Sequence, residues 1–186
     1  MSPTVTAALA AAGLTLTWGV LSHNRFVRLG QHLRDSWAGI DVELKRRHDL
    51  IPNLVNVVQG YTAHERGVLE RVVELRSRAA ADHPSREQLA RDETKLMRAM
   101  KELFAVVEGY PQLKADRHFL ELQDELAITE DRIAAARRFY NGNVRDFTVL
   151  RDSFPSSLIA RLFGFKDKDP GYFELTADAE RVVPRL

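Results

Sequence analysis

The N-terminal segment carries no Asp, Glu, Lys or Arg before Arg25, and this feature most limits how the chain can fold. Residues 5–21, from Val5 to Leu21, are apolar apart from threonines, whose hydroxyls can bond to their own helix. As a helix at ~1.5 Å per residue they extend ~25 Å, which is at the short edge of a bilayer core. Trp18 and His23 stand where an interfacial belt would lie. The segment therefore predicts a membrane-spanning helix.

Two alternatives to a membrane span stay open at this stage. A cleaved signal peptide normally has basic residues at its start and a small-x-small site after the apolar run, and neither is present. A soluble helix built from this segment would be apolar on every side. Basic residues follow the segment but do not precede it, which predicts a single-pass protein of the cell (inner) membrane with its N-terminus outside and its main domain in the cytoplasm. These residues are Arg25, Arg28, Arg34, Lys45, Arg46 and Arg47.

An amphipathic helix is predicted from the end of the anchor at residue 22 to about residue 59, because apolar side chains recur there in steps of three, four or seven. Pro52 lacks an N–H and clashes with the carbonyl four residues earlier, so a kink or break is expected near residues 48–51. Thr62 and Glu65 fit a capping box for the next helix, with Thr62 as the cap. The polar face of the first helix is predicted to contain Glu43, Lys45, Arg46, Arg47 and Asp49.

Three further helices follow from the same periodicity, over about residues 63–81, 86–108 and 116–153, with Ser85 and Asp116 at the start of the last two. Glu93 falls on an apolar stripe and needs a partner or an edge position. Short connections favour antiparallel neighbours. The expected fold is all-α, with an N-terminal transmembrane helix (1–22) continuing into an up-and-down antiparallel four-helix bundle (23–155). An irregular C-terminal tail (156–186) packs on or near the bundle.

Four segments resemble the LemA family of small, membrane-anchored helical proteins of bacteria and archaea. They are DVELKRRHDLIPNLVNVVQGYTAHE (41–65), LFAVVEGYPQLKAD (103–116), FLELQDELAITEDRIAAARRFYNGNV (119–144) and FGF…GYFE (163–174). The resemblance runs from about residue 24 to 184. It implies the topology given above and an accessory envelope role, in some members membrane-shaping or organellar, but no agreed reaction. His48 departs from the family, which commonly has tyrosine there.

The sequence offers little sign of catalytic chemistry. It has no cysteine, which excludes disulfides and thiol catalysis, and a net charge of +1 gives no bulk attraction to nucleic acid. A di-iron bundle needs Glu-x-x-His on two helices, and only the reversed spacing His118-x-x-Glu121 occurs. Phosphate-binding loops and nucleophile elbows are absent. We therefore predict no enzyme, and no catalytic, cofactor or metal site.

The candidate interaction residues follow from the resemblance, and each group has a structural alternative. The basic residues 45–47 suit an anionic lipid or acidic partner, or form a solvated face. Polar residues around Pro52 form a recognition notch, or satisfy the kinked backbone. The corners between helices one and two and between helices three and four lie together at one end of the bundle, or only pack the turns. Asn141 makes a buried hydrogen bond that fixes the register, or couples to a partner helix. The candidates are Lys45, Arg46, Arg47, Asp49, Asn53, Tyr61, His64, Glu65, Tyr110 and Asn141.

The function predicted from the sequence is a non-enzymatic, membrane-tethered cytoplasmic helical module that recruits or organises partner proteins at the bacterial inner membrane. Its partners are the lipid bilayer, through residues 5–21, and an unidentified membrane or cytoplasmic protein; self-association stays open and nucleic acid is not expected. The alternatives are a regulatory subunit of a membrane enzyme and a lipid-surface or oligomeric membrane-shaping scaffold.

Overall fold

The computed structural model describes residues 2–62, 65–167 and 169–175, which form helices and no strand. The predicted all-α class is confirmed, and the first and last of the four predicted helices are the longest. An up-and-down bundle order stays a prediction, as do the boundaries of anchor, bundle and tail. The helices are α1 (Pro3–Gln59), α2 (Arg66–Ala79), α3 (Arg86–Val107), α4 (Pro111–Lys114), α5 (Arg117–Asp152) and α6 (Ser156–Leu162).

The starts of α3 and α5 lie where local sequence signals predict them. The Ser85 hydroxyl accepts a hydrogen bond from the backbone N–H of Gln88 at 3.2 Å, which caps α3. The Asp116 carboxylate accepts from the backbone N–H of Phe119 at 3.0 Å, which does the same for α5. Both side chains satisfy amide groups that have no partner within the helix.

The predicted capping box at the start of α2 is wrong. The N-cap residue is Glu65, which makes no side-chain capping hydrogen bond. The Thr62 hydroxyl instead donates to the carbonyl of Val58 at 3.0 Å, and its backbone N–H donates to the same oxygen at 3.1 Å. Thr62 thus belongs to the end of α1, and the helix that it was predicted to cap begins four residues later, at Arg66.

Helix α1 continues through Pro52 without a break. Proline has no N–H, so the carbonyl of His48 loses its usual donor four residues on. Arg76 of α2 replaces that donor, because its Nε lies 2.9 Å from the His48 carbonyl oxygen. A side chain distant in sequence therefore supplies the missing hydrogen bond at the position where the sequence predicted a kink or break.

The chain divides into two compact units. The first contains residues 1–37 and 139–172. Phe26 is fully buried there and stacks on Phe165 of the tail, with ring centroids 4.8 Å apart. The Tyr140 hydroxyl donates to the carbonyls of Pro170 at 2.7 Å and Gly171 at 3.0 Å. The segment after α6 is thus held by aromatic packing and by hydrogen bonds within this unit.

The second unit contains residues 38–138 and 173–186. One hydrophobic cluster forms its core, and α1, α2, α3 and α5 all contribute to it. The predicted apolar stripes supply the buried side chains, as expected for amphipathic helices. Fully buried examples are Ile51, Leu54, Val58, Val72, Leu96 and Leu103.

Candidate functional site

A buried ionic network, formed by Arg47, His48, Glu93 and Glu130, lies in the second unit. Arg47 of α1 is 1% exposed, yet it carries a permanent charge. Its Nη2 donates to Oε2 of Glu93 on α3. Its Nη1 donates to both carboxylate oxygens of Glu130 on α5, at 2.9 and 3.1 Å, and lies 2.9 Å from Sδ of Met97. One guanidinium therefore connects three helices.

His48 of α1 completes the network, and its backbone carbonyl connects the network to a fourth helix, α2. Its Nε2 lies 2.8 Å from Oε1 of Glu93 and donates to that oxygen, since a carboxylate can only accept. Its backbone carbonyl accepts from Arg76 of α2. Each oxygen of Glu93 thus has a donor, from Arg47 or from His48. Arg76 also lies near Asp49, with Nη2 and Oδ1 3.8 Å apart.

The charges of the network stabilise one another. Burial disfavours the ionised form of Glu93, but the charge of Arg47 and the hydrogen bond from His48 outweigh it and lower the pKa of Glu93 below its ordinary value of 4.5. Burial likewise opposes the charge of Arg47, and Glu93 and Glu130 together raise its pKa. At neutral pH Arg47 and Glu93 are therefore both ionised. Because the pKa of Glu93 is lowered and that of Arg47 is raised, neither of these two groups is suited to exchange protons near neutrality.

Arg47 lies in surroundings that differ from those predicted. It was assigned to a solvated polar face, and that assignment is wrong because two carboxylates from other helices compensate its charge in the interior. Lys45 is exposed and Arg46 is half-buried. The three basic residues therefore do not form a single surface patch.

Three exposed candidates lie on one side of α1. Lys45, Asp49 and Asn53 are exposed and spaced by four residues, so they share a helix face, and Val42 is exposed beside them. We call Val42, Lys45, Asp49 and Asn53 the α1 face. It combines both charges, an amide and an apolar side chain.

The remaining candidates lie at helix ends or in the other unit. The Tyr61 hydroxyl donates to Oδ2 of Asp116 at 2.9 Å, and this hydrogen bond raises the pKa of Tyr61. Tyr110 is half-buried against the core at the start of α4, and Glu65 is half-buried at the start of α2. Asn141 is half-buried in the first unit. His64 lies outside the described residues.

Sequence reasoning singled out Glu93 as a charge needing a partner, and the structure supplies Arg47 and His48. It missed Glu130 and Arg76. Glu130 directly follows Thr129, a buried member of the α5 stripe, which is a weak signal at best. Nothing local marks Arg76, since its role depends on a carbonyl 28 residues earlier.

Two further features of the described residues bear on function: clusters that could bind a metal ion, and stretches that could cross a membrane. No three acidic or histidine side chains there come together in a way that could hold a metal ion. Helix α1 is long and apolar enough at its N-terminal end to cross a membrane, and no residue of that stretch is buried within the chain. The structure thus defines an all-α protein with a candidate membrane span.

Comparison with known proteins agrees with this class. The model of the LemA family matches residues 36–186, and the chain belongs to that family. Magnetosome protein MamQ of Magnetospirillum gryphiswaldense is 20% identical over 92% of this chain and 72% of its own length. Magnetosome protein MamQ 2 of Paramagnetospirillum magneticum is 23% identical over 90% and 71%. Protein LemA of Metamycoplasma hominis is 25% identical over 74% and 63%.

Proposed function

We propose that this protein is a non-enzymatic, membrane-tethered cytoplasmic module that recruits or organises partner proteins at the bacterial inner membrane. The observation that carries the proposal is the continuity of α1. Its exposed apolar stretch is followed, without a break in the helix, by the part of α1 that contains Arg47 and His48. An apolar surface of that length is unfavourable in water and favourable in a bilayer core. Tethering and folding therefore use the same helix.

The charge distribution supports the orientation that we propose. Arg25 and Arg28 directly follow the apolar stretch and are exposed. Basic side chains at one end of a span favour the cytoplasmic side. The helical part of the chain that follows would then lie in the cytoplasm.

A protein partner suits the α1 face better than a lipid surface does. The face carries Lys45 beside Asp49, so its charges do not add up to a basic patch. The burial of Arg47 removes a further positive charge from this surface. A mixed polar and apolar surface is typical of non-obligate protein interfaces. The MamQ relatives are named as magnetosome proteins, and that name refers to a cellular structure and not to a reaction, which supports an organising role.

The test is recovery of partners from native membranes. The tagged full-length protein is crosslinked in its membrane, solubilised, and analysed by mass spectrometry. The variant Lys45→Glu with Asn53→Arg changes two exposed positions of the α1 face, and Lys101→Glu on exposed α3 surface is the matched control. We expect the first variant to lose partners that the control retains. If the unaltered protein recovers no partner and does not self-associate, the proposal fails.

A further inference from the structure

An exposed apolar stripe runs along the segment that contains α6. Phe154, Leu158 and Leu162 are spaced by four residues and are 82%, 54% and 75% exposed. Leu158 and Leu162 share one face of α6 by this spacing, and Phe154 comes just before the helix. The buried positions of α6 are instead the small residues Ser156 and Ala160. Leu158 and Leu162 thus face outwards while two small residues face inwards, the reverse of an amphipathic helix on a soluble protein, and Ile159 is half-buried.

Hydrogen bonds on the inward side and at the end of α6 hold it in the orientation that exposes the stripe. The Ser156 hydroxyl lies 2.6 Å from the carbonyl oxygen of Leu150 and 2.9 Å from that of Ser153. After the helix, the backbone N–H groups of Phe165 and Lys166 both donate to the carbonyl of Ala160. These bonds tie α6 to α5 at one end and to the tail at the other.

Helix α6 lies against the end of the candidate membrane span, within the same compact unit. Ile159 Cδ1 would be 3.8 Å from a Cβ placed at Gly19, so the two helices are in van der Waals reach there. The ring of Phe163 meets His23 edge-on, with centroids 4.6 Å apart. A groove of about 320 Å³ is lined by both segments, including Trp18, Leu21 and Pro155.

These contacts place the stripe at the level of the end of the candidate membrane span. The predicted span ends at Leu21, and Gly19 lies two residues, or ~3 Å, inside that end. Trp18 marks the same level, where amphipathic aromatic rings are enriched in membrane proteins. Arg161 of α6 is exposed beside the stripe, and its long side chain can reach the headgroups while its stem stays in the apolar layer.

We propose that Phe154 and α6 form a second membrane-contacting element, which lies in the bilayer interface beside the span. The proposal rests on the membrane anchoring proposed above. The stripe is continuous with the exposed surface of the span, so the phospholipid that covers one also covers the other. A contact beside the span fixes the rotation of α1 about its own axis relative to the bilayer, which a single helix cannot do alone.

The natural absence of cysteine allows a direct test, because each single-cysteine variant carries one spin label. Leu158→Cys and Leu162→Cys probe the stripe, Leu14→Cys is the lipid reference, and Asp152→Cys, exposed in the same unit, is the water reference. The full-length protein is placed in phosphatidylcholine nanodiscs. Collisions with oxygen report lipid exposure, and collisions with a nickel chelate report water exposure.

We expect the labels at 158 and 162 to lose nickel collisions and keep oxygen collisions, as at 14, while the label at 152 keeps its nickel collisions. Nickel collisions at 158 and 162 equal to those at 152, with position 14 still in lipid, overturn this inference and leave the anchor standing. Loss of both kinds of collision at 158 and 162 also overturns it, because protein then covers the stripe. A label at 14 that meets nickel overturns the anchor and this inference together.

Discussion

Replacement of Arg47 gives the sharpest test of the ionic network. In Arg47→Met the carboxylate of Glu93 stays fully buried with only His48 as a donor. Removal of one partner from a buried ion pair costs about 3–5 kcal/mol, out of the ~5–15 kcal/mol that typically stabilises a domain. At ~2–4 °C per kcal/mol for a chain of this size, the melting temperature should fall by about 6–20 °C.

The pH dependence of this loss distinguishes a stranded charge from simple loss of packing. Without Arg47, burial should raise the pKa of Glu93 in the folded state above its unfolded value. The folded variant then binds a proton that the unfolded chain has released. Its stability should therefore decrease as the pH rises from about 4.5 through the raised pKa, so the deficit relative to the unaltered protein is smaller at about pH 5 than at about pH 7.

Removal of both charges should restore much of the stability. In Arg47→Met with Glu93→Leu no carboxylate is left stranded, because Glu130 is 20% exposed and can reach water. Apolar replacement of a whole buried pair is often neutral or stabilising. We expect the double variant to cost less than the sum of the single variants by about 2 kcal/mol or more, near the upper range for contacting residues.

The assay is urea unfolding of the full-length chain in detergent micelles, followed by far-ultraviolet circular dichroism. Arg46→Met is the matched control, because this neighbouring guanidinium is half-buried, and its loss should stay within about 0.5 kcal/mol. If Arg47→Met costs no more than Arg46→Met, or if the single costs simply add, the reasoning from a buried, ionised network is refuted.

Three further predictions concern the repair of α1, the pH response of the unaltered protein and the cap of α3. Arg76→Met removes the donor of the His48 carbonyl and should lower the free energy of unfolding by about 1–3 kcal/mol in urea; the loss should shrink when Pro52→Ala returns an N–H to that carbonyl, and equal losses with and without it would contradict the repair. Because the pKa of Glu93 is lowered in the folded state, stability should be lost as the pH falls from about 4.5 through that lowered value; thermal unfolding of Glu93→Gln between about pH 3 and 6 should lack this contribution, and an unchanged slope would argue against it. Ser85→Ala should cost about 1 kcal/mol in the same urea titration, whereas Ser85→Asn, which still caps, should cost clearly less.

Local sequence signals predicted helix positions and caps correctly where the residues of a single helix determine them. The apolar period gave the long helices, and Ser85 capped α3 as its position predicted, because a cap needs only the three residues that follow. The signal at Thr62 failed although it was equally local. Thr62 lies at the end of α1, where its hydroxyl donates to the Val58 carbonyl, and α2 begins only at Arg66.

The candidate site was less predictable, because a charge looks the same in sequence whether it is buried or solvated. Arg47 and Arg46 are neighbours of similar character, yet only Arg47 is compensated inside the core. The residues of α6 lie in the C-terminal tail and form a helix. Their exposure as a stripe was not foreseen, since it depends on what lies on the inner side.

The sequence by itself determined the helical class, the LemA family, the helix ends at Ser85 and Asp116, and the apolar segment that must find a nonpolar environment. These properties depend on composition and on neighbours within one or two helical turns. Only the tertiary structure decided that Arg47 is an interior residue, that Arg76 repairs the helix at Pro52, and that α6 lies beside the candidate span. The partners of Arg47 are 46 and 83 residues away along the chain, so no local pattern specifies them. The interior position of this charge is fixed by the helices that converge on it, because only their carboxylates offset the cost of removing it from water.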